Sequence, residues 1–224
     1  MTGPYDPPNR NSTEVNILGH EMWEQSRAAL LAFRDLEKAA AARRTPGEEI
    51  PWGEAETRIW LALYALLAIT RTISHVLQED PSGKRRLPEY AKVLREKAGV
   101  TKDSLIFTST VLRNKLLHID EELVDALNEH DVDLLLDRNL IEVTDEDRES
   151  GGIFLRSISP DTLVLQYRDH RLDVRAMAEE LEDISTNLST EFDWRKRRTG
   201  TARAKRRRPN RGGEPAPTPE PSRI

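Results

Sequence analysis

Arg113, Asn114 and His118 stand in the run 112–122, with four residues between the arginine and the histidine. A guanidinium neutralises a phosphate through charge-assisted hydrogen bonds, and an imidazole takes or gives a proton near neutral pH. Asn114 and His118 are four apart, so on a helix their side chains are neighbours. The chemistry within reach is proton transfer beside a bound phosphate.

An apolar helix must carry these groups. At 100° per residue, Leu105, Leu112, Leu116, Ile119, Leu123 and Leu127 fall within about 80° of one helix face, which makes a core stripe. Arg113 lies about 80° from the centre of that stripe, His118 about 140° and Asn114 about 180°, so Asn114 and His118 point away from the chain's own core. A second apolar row, Ile106, Leu117 and Val124, runs between the stripe and Asn114 and needs a cover. The cover is either a strand pair or a second copy of the chain.

The remaining elements follow from periodicity and punctuation. Capping oxygens at Asn11, Ser12 and Thr13 open a first helix, whose apolar face includes Val15, Leu18, Met22, Leu30, Phe33 and Leu36, and residues 44–47 end it. A second helix spans about residues 53–77 and is apolar nearly all round in its middle, as the central helix of a bundle is. Pro88 starts a short third helix and Gly99 stops it. Thr101 caps a fourth, which continues to about Leu127. The period then changes: residues 153–159 and 162–167 alternate as two short strands joined through Pro160 and Asp161, with residues 168–171 as a polar turn. A last helix covers about 173–194.

Other polar groups offer less. Arg71 and His75 are i and i+4 on the second helix; they either line the same site as Arg113 or close the end of a long apolar helix near Gln78 and Glu79. His20 with Glu21 and Glu24, and Glu129 with His130 and Asp131, match no metal-ligand spacing, so no metal or other cofactor is expected.

Composition bounds the class. Cysteine is absent, which removes disulfide frameworks and thiolate metal sites. The opening residues lack the apolar core of a signal peptide, and the richest apolar run, 59–70, is bracketed by Arg58 and Arg71 and falls short of the roughly 20 residues of a membrane span. The expectation is a cytoplasmic protein with no membrane contact. The net charge of −5 divides unevenly: residues 195–224 carry eleven Lys/Arg against two acids, net +9, leaving −14 on residues 1–194. Arg195, Lys196, Arg197, Arg198, Arg203, Lys205, Arg206, Arg207, Arg208 and Arg211 form a basic stretch followed by prolines, too poor in apolar residues to fold. Without interleaved aromatics it suits nonspecific, salt-sensitive nucleic-acid binding through counterion release; contact with an acidic protein face and a solubilising role stay open.

An arginine followed by a polar residue, with four to six residues before a histidine, on a late helix of an α-helical bundle, resembles the signature of HEPN domains, a superfamily that includes ribonuclease toxins and abortive-infection effectors. Arg113, Asn114 and His118 fit the shortest spacing. His118, Ile119, Asp120 and Glu121 are similar to a His-aromatic-Asp-Glu run of several bacterial families in it, with Ile119 replacing the aromatic. The long apolar helix, the Pro-started helix and the hairpin also suit such families, so the resemblance covers about residues 14–193 and not the tail. Where some members carry a tyrosine two positions after the histidine, this chain has Asp120, so control by tyrosine modification is not implied.

The resemblance implies metal-independent RNA cleavage at a site built from two motif copies across a dimer. His118 would act as acid or base, Arg113 as the clamp on phosphorane charge, and Asn114 as the group that holds His118 or a phosphate oxygen. The expectation is a mainly all-α fold: a HEPN-like helical bundle over 13–194 with a small β-hairpin at about 153–174, flanked by an unstructured 1–12 and a disordered tail at 195–224. Its expected role is an endoribonuclease effector of a bacterial toxin-antitoxin or phage-defence system, homodimeric through the 101–127 helix, with RNA as substrate and an antitoxin protein as partner. The alternatives are a catalytically silent interaction module on the same helix and a nucleic-acid-binding accessory acting through its tail.

Overall fold

A computed structural model describes residues 12–44, 52–78, 88–129, 135–144, 146–147 and 153–191. The expectations for residues 1–11, the end of the first helix at 45–47, Glu79, His130 and Asp131, residues 192–194 and the basic tail lie outside them.

Six helices dominate the described residues. In α1 (Thr13–Arg44), Val15, Met22, Ala29 and Leu36 recur every seven residues and are buried, with Ser26, Phe33 and Ala40 forming the companion row. Ser12 caps it, its hydroxyl accepting from the Val15 amide at 3.2 Å. That double row packs along α2 (Trp52–Leu77), which also meets α3 and α4. α2 is the one described helix long and apolar enough to cross a membrane by length and composition, and half of its apolar window is buried within the protein. Ile59, Trp60, Leu63, Leu66, Leu67, Ile73 and Leu77 are fully enclosed. α3 (Pro88–Ala98) ends as its sequence dictates. Gly99 adopts φ +74°, the Val100 amide reaches back to the Arg95 carbonyl at 3.0 Å, and a side chain at Gly99 would meet the Asn187 amide at 2.9 Å.

The expected fourth helix is two helices, α4 (Leu105–Leu117) and α5 (Ile119–Glu129), separated at His118. His118 takes φ −99°, ψ 33° while its amide still bonds the Asn114 carbonyl at 3.2 Å. Asp120 and Glu121 thereby fall in the first turn of α5, where carboxylates favour the positive end of the helix dipole. The cap of α4 is Ser104 rather than Thr101. Leu112 and Leu116 of the expected core stripe are buried, Leu105, Ile119 and Leu123 are half-buried, and the side chain of Leu127 lies outside the description.

The β region is larger than a hairpin. A two-residue parallel pair joins β1 (Leu135–Leu136) to β2 (Ile153–Phe154), and a bridge between Asn139 and Ser157 prolongs the alignment. An antiparallel sheet then runs β3 (Arg156–Ile158), β4 (Val164–Tyr167), β5 (His170–Asp173). Residues 170–171, expected in a turn, begin the third strand; the turn is confined to Arg168 and Asp169, with Arg168 at φ +46°. Alternation along β4 suggests one polar face, yet all four residues are buried. Gln166 permits this by bonding the Val143 backbone on both sides, its Oε1 accepting from N at 2.8 Å and its Nε2 donating to O at 3.1 Å.

The sheet contacts α4 and the last helix, α6 (Val174–Glu191), which opens on Asp173 accepting from the amides of Arg175 and Ala176, both at 3.0 Å. Arg156 ties β3 to α2: it donates to both carboxylate oxygens of Asp137 and to the Tyr64 hydroxyl, and lies 5.8 Å from the Trp60 ring centre. Its burial opposes the charge, but the hydrogen bond to Asp137, with the attraction of Tyr64 and Asp137, outweighs this and raises its pKa.

Candidate active site

Three supports position α4. At its start, the Glu180 carboxylate of α6 accepts from the Leu105 amide at 3.1 and 3.2 Å and from the Ser104 hydroxyl, while Ser104 accepts from the Ile106 amide at 3.3 Å. A carboxylate from a second element therefore occupies the donor-rich end of the helix. Along its length, Ile106, Ser109, Leu112 and Leu116 are buried. Beside them the Lys115 ammonium stands 5.7 Å from the Tyr167 ring centre, over the sheet.

On this support the motif residues separate. Arg113 is half-buried, and its Nε is enclosed with no hydrogen-bond partner among the described residues. Its Nη1 donates to Asn114 Oδ1 at 3.2 Å. The same oxygen accepts from Arg71 Nε, projecting from α2, at 3.5 Å. Arg71 therefore reaches the motif, while the other reading, a helix end closed near Gln78 and Glu79, turns on a residue outside the described ones. Neither guanidinium has a carboxylate partner among the described residues. The pKa of Arg113 is lowered, first because the group is partly buried and second because the charge of Arg71 sits beside it.

His118 stands apart. Its side chain is 64% exposed and its Nδ1 lies 3.8 Å from Glu121, one turn into α5. No hydrogen bond links its ring to Arg113 or Asn114. Asn114 therefore holds the arginines rather than the histidine, and with Oδ1 engaged, the Nδ2 donors of its exposed amide remain for a ligand. Around them the apolar surface is open: Val111, Leu117 and Val124 are 48%, 54% and 56% exposed, whereas Ile106 of the expected second row is buried. The sheet, one of the two expected covers, leaves Leu117 and Val124 bare.

A cavity of about 560 Å³ between α1 and α2 is lined by alanines and Leu61, with Asp35, Lys38 and Arg58 among its residues, and none of the lining comes from α4 or α5. The Arg113 region is thus an exposed ledge separate from that cavity. Comparison with known proteins finds no match: no family model, no curated protein and no solved structure resembles this chain closely enough to place it. Its chemistry has to be read from the ledge itself.

The residue that sequence reasoning underweighted is Arg71. Its signal was an arginine closing the apolar run of α2, one turn before His75, and that pattern also describes an ordinary helix end. Of the other histidines, His20 lies 3.9 Å from Glu24 with its ring tilted against Trp23 at 5.5 Å between centres, while His170 is exposed on β5.

Proposed function

We propose that this protein is a metal-independent endoribonuclease of the HEPN type, acting as the effector of a bacterial toxin-antitoxin or phage-defence system. The observation that carries the reading is the convergence of Arg71 and Arg113 on Asn114, four residues before an accessible His118. Cleavage by this set begins with attack of a ribose 2′-OH on the adjacent phosphorus. One imidazole accepts the hydroxyl proton, and the charge gathered on the non-bridging oxygens is held by guanidinium. The P–O5′ bond breaks, the leaving oxygen takes a proton from an imidazolium, and the products are a 2′,3′-cyclic phosphate and a 5′-hydroxyl. Two imidazoles are supplied most simply by two chains. The exposed Val111, Leu117 and Val124 flank Asn114 and His118, and a homodimer through this face covers them and brings a second His118 to the site. The basic tail would deliver RNA to an acidic body by nonspecific attraction.

A second reading, a catalytically silent interaction module, is favoured by the His118 ring, which lies beside Glu121 and makes no hydrogen bond to Arg113 or Asn114 within one chain. The deciding experiment is induced expression of the wild type beside His118→Ala and Arg113→Ala, with growth and RNA integrity followed. The nuclease reading expects growth arrest and RNA with 2′,3′-cyclic phosphate ends in the wild type alone. Equal growth and intact RNA in all three, with equal folding, supports the interaction module.

A further inference from the structure

We infer that Arg71 and Arg113 together form a two-arginine clamp for one backbone phosphodiester of RNA, with Arg71 contributed from outside the motif helix. The inference rests on the ribonuclease reading for the nature of the ligand, but its test requires no cleavage. Two guanidiniums meet at a single neutral acceptor, Asn114 Oδ1, at 3.2 and 3.5 Å, and neither has an acid partner among the described residues. Like charges placed together repel, and an amide dipole offsets this only in part. An anion seated between them would reverse the sign of the interaction.

The geometry also suits a tetrahedral oxyanion. Arg113 has its Nη1 on Asn114 and an enclosed, unpartnered Nε, so donors remain on its guanidinium; Arg71 spends only its Nε, leaving its terminal nitrogens available. The arginines come from different helices, α2 and α4, whose mutual packing holds their backbones in fixed relation before any ligand arrives. The exposed amide of Asn114 can donate from Nδ2 to a further oxygen of the same group. Arg71 is a binding residue in this arrangement, and His118 remains the proton-transfer group.

The test uses the full-length protein and 2′-O-methyl dinucleotide monophosphate, which carries one phosphodiester and cannot be cut. Arginine Nε–Hε resonances are followed by NMR during titration, assigned by their loss in Arg71→Lys and Arg113→Lys. Saturable, parallel shifts of both Arg71 and Arg113 are expected, with about tenfold weaker binding to Arg71→Ala, the loss expected for one charge-assisted contact. Arg71→Lys recovers part of that affinity. Shifts restricted to other arginines, or an Arg113 titration unchanged in a folded Arg71→Ala protein, would overturn the clamp. Inorganic phosphate binding as tightly as the dinucleotide overturns the assignment to a phosphodiester. Because the ligand cannot be cleaved, a chain that binds it through both arginines yet cuts no RNA retains the clamp and loses the nuclease reading. A chain that cuts RNA through His118 but is indifferent to Arg71→Ala does the reverse.

Discussion

At Asn114, one amide oxygen joins two guanidinium nitrogens at 3.2 and 3.5 Å, so those nitrogens lie within about 7 Å of one another. Two unit charges at about 7 Å repel by about 0.6 kcal/mol in water and about 2.4 kcal/mol at an effective dielectric of 20. Changing that amide to a carboxylate would turn the repulsion into attraction without altering side-chain shape. Asn114→Asp should therefore stabilise the fold by about 1 kcal/mol, seen as a raised Tm, while abolishing RNA cleavage by filling the space with a fixed negative charge. A lowered Tm would show that the arginines carry no uncompensated charge. Arg113, Asn114 and His118 were legible as residue types because their spacing is a one-dimensional property. The meeting of Asn114 with Arg71 was not, because the partners stand 43 positions apart and only the packing of α2 on α4 brings them together.

At the scale of elements, the break at His118 matters most. A continuous helix would have held Asn114 and His118 on one face at a fixed offset; with α4 ended at Leu117, His118 becomes the residue between two helices, followed by an acidic first turn. Periodicity could not reveal the break, because a stripe of Leu112, Leu116, Ile119 and Leu123 continues through it, and only backbone dihedrals separate one helix from two. The start of α4 is equally non-local, since its carboxylate comes from Glu180 on α6. Glu180→Ala should cost about 1 kcal/mol of stability, the usual loss for a helix cap. Hydrogen exchange should speed most at the amides of Leu105 and Ile106. Unchanged exchange at these two amides would mean that Ser104 alone secures the end. Pro88, Gly99 and Ser12, by contrast, act through their own backbone or nearest neighbours, and their effects were plain in the sequence.

The described residues form a mostly helical assembly whose three-stranded sheet precedes the last helix, with Val111, Leu117 and Val124 left exposed beside the candidate site. If that face pairs two chains, Leu117→Glu with Val124→Glu should convert a dimer into a monomer by sedimentation at micromolar concentration, with Tm of the monomer fold preserved and RNA cleavage lost. A wild type that is already monomeric at those concentrations, or a variant that remains dimeric, would remove this face as the dimer contact. The division of charge, −14 over residues 1–194 and +9 over 195–224, is a property of the sequence and holds in any conformation. It makes salt dependence a feature of any RNA affinity the protein has.

By itself the sequence determined what depends on near neighbours and on composition: the helical character, the start at Pro88 and the stop at Gly99, the Arg-Asn-His spacing, and the contrast between acidic body and basic tail. Backbone propensity, capping and charge are carried by residues close in the chain, so they can be read from it. Only the tertiary structure decided which distant groups meet. Arg71 joins Arg113 at Asn114, Glu180 closes α4, and Gln166 is buried because the Val143 backbone satisfies its amide. Each of these contacts is favourable only once packing has fixed two remote segments and removed the water that would otherwise satisfy the same polar atoms.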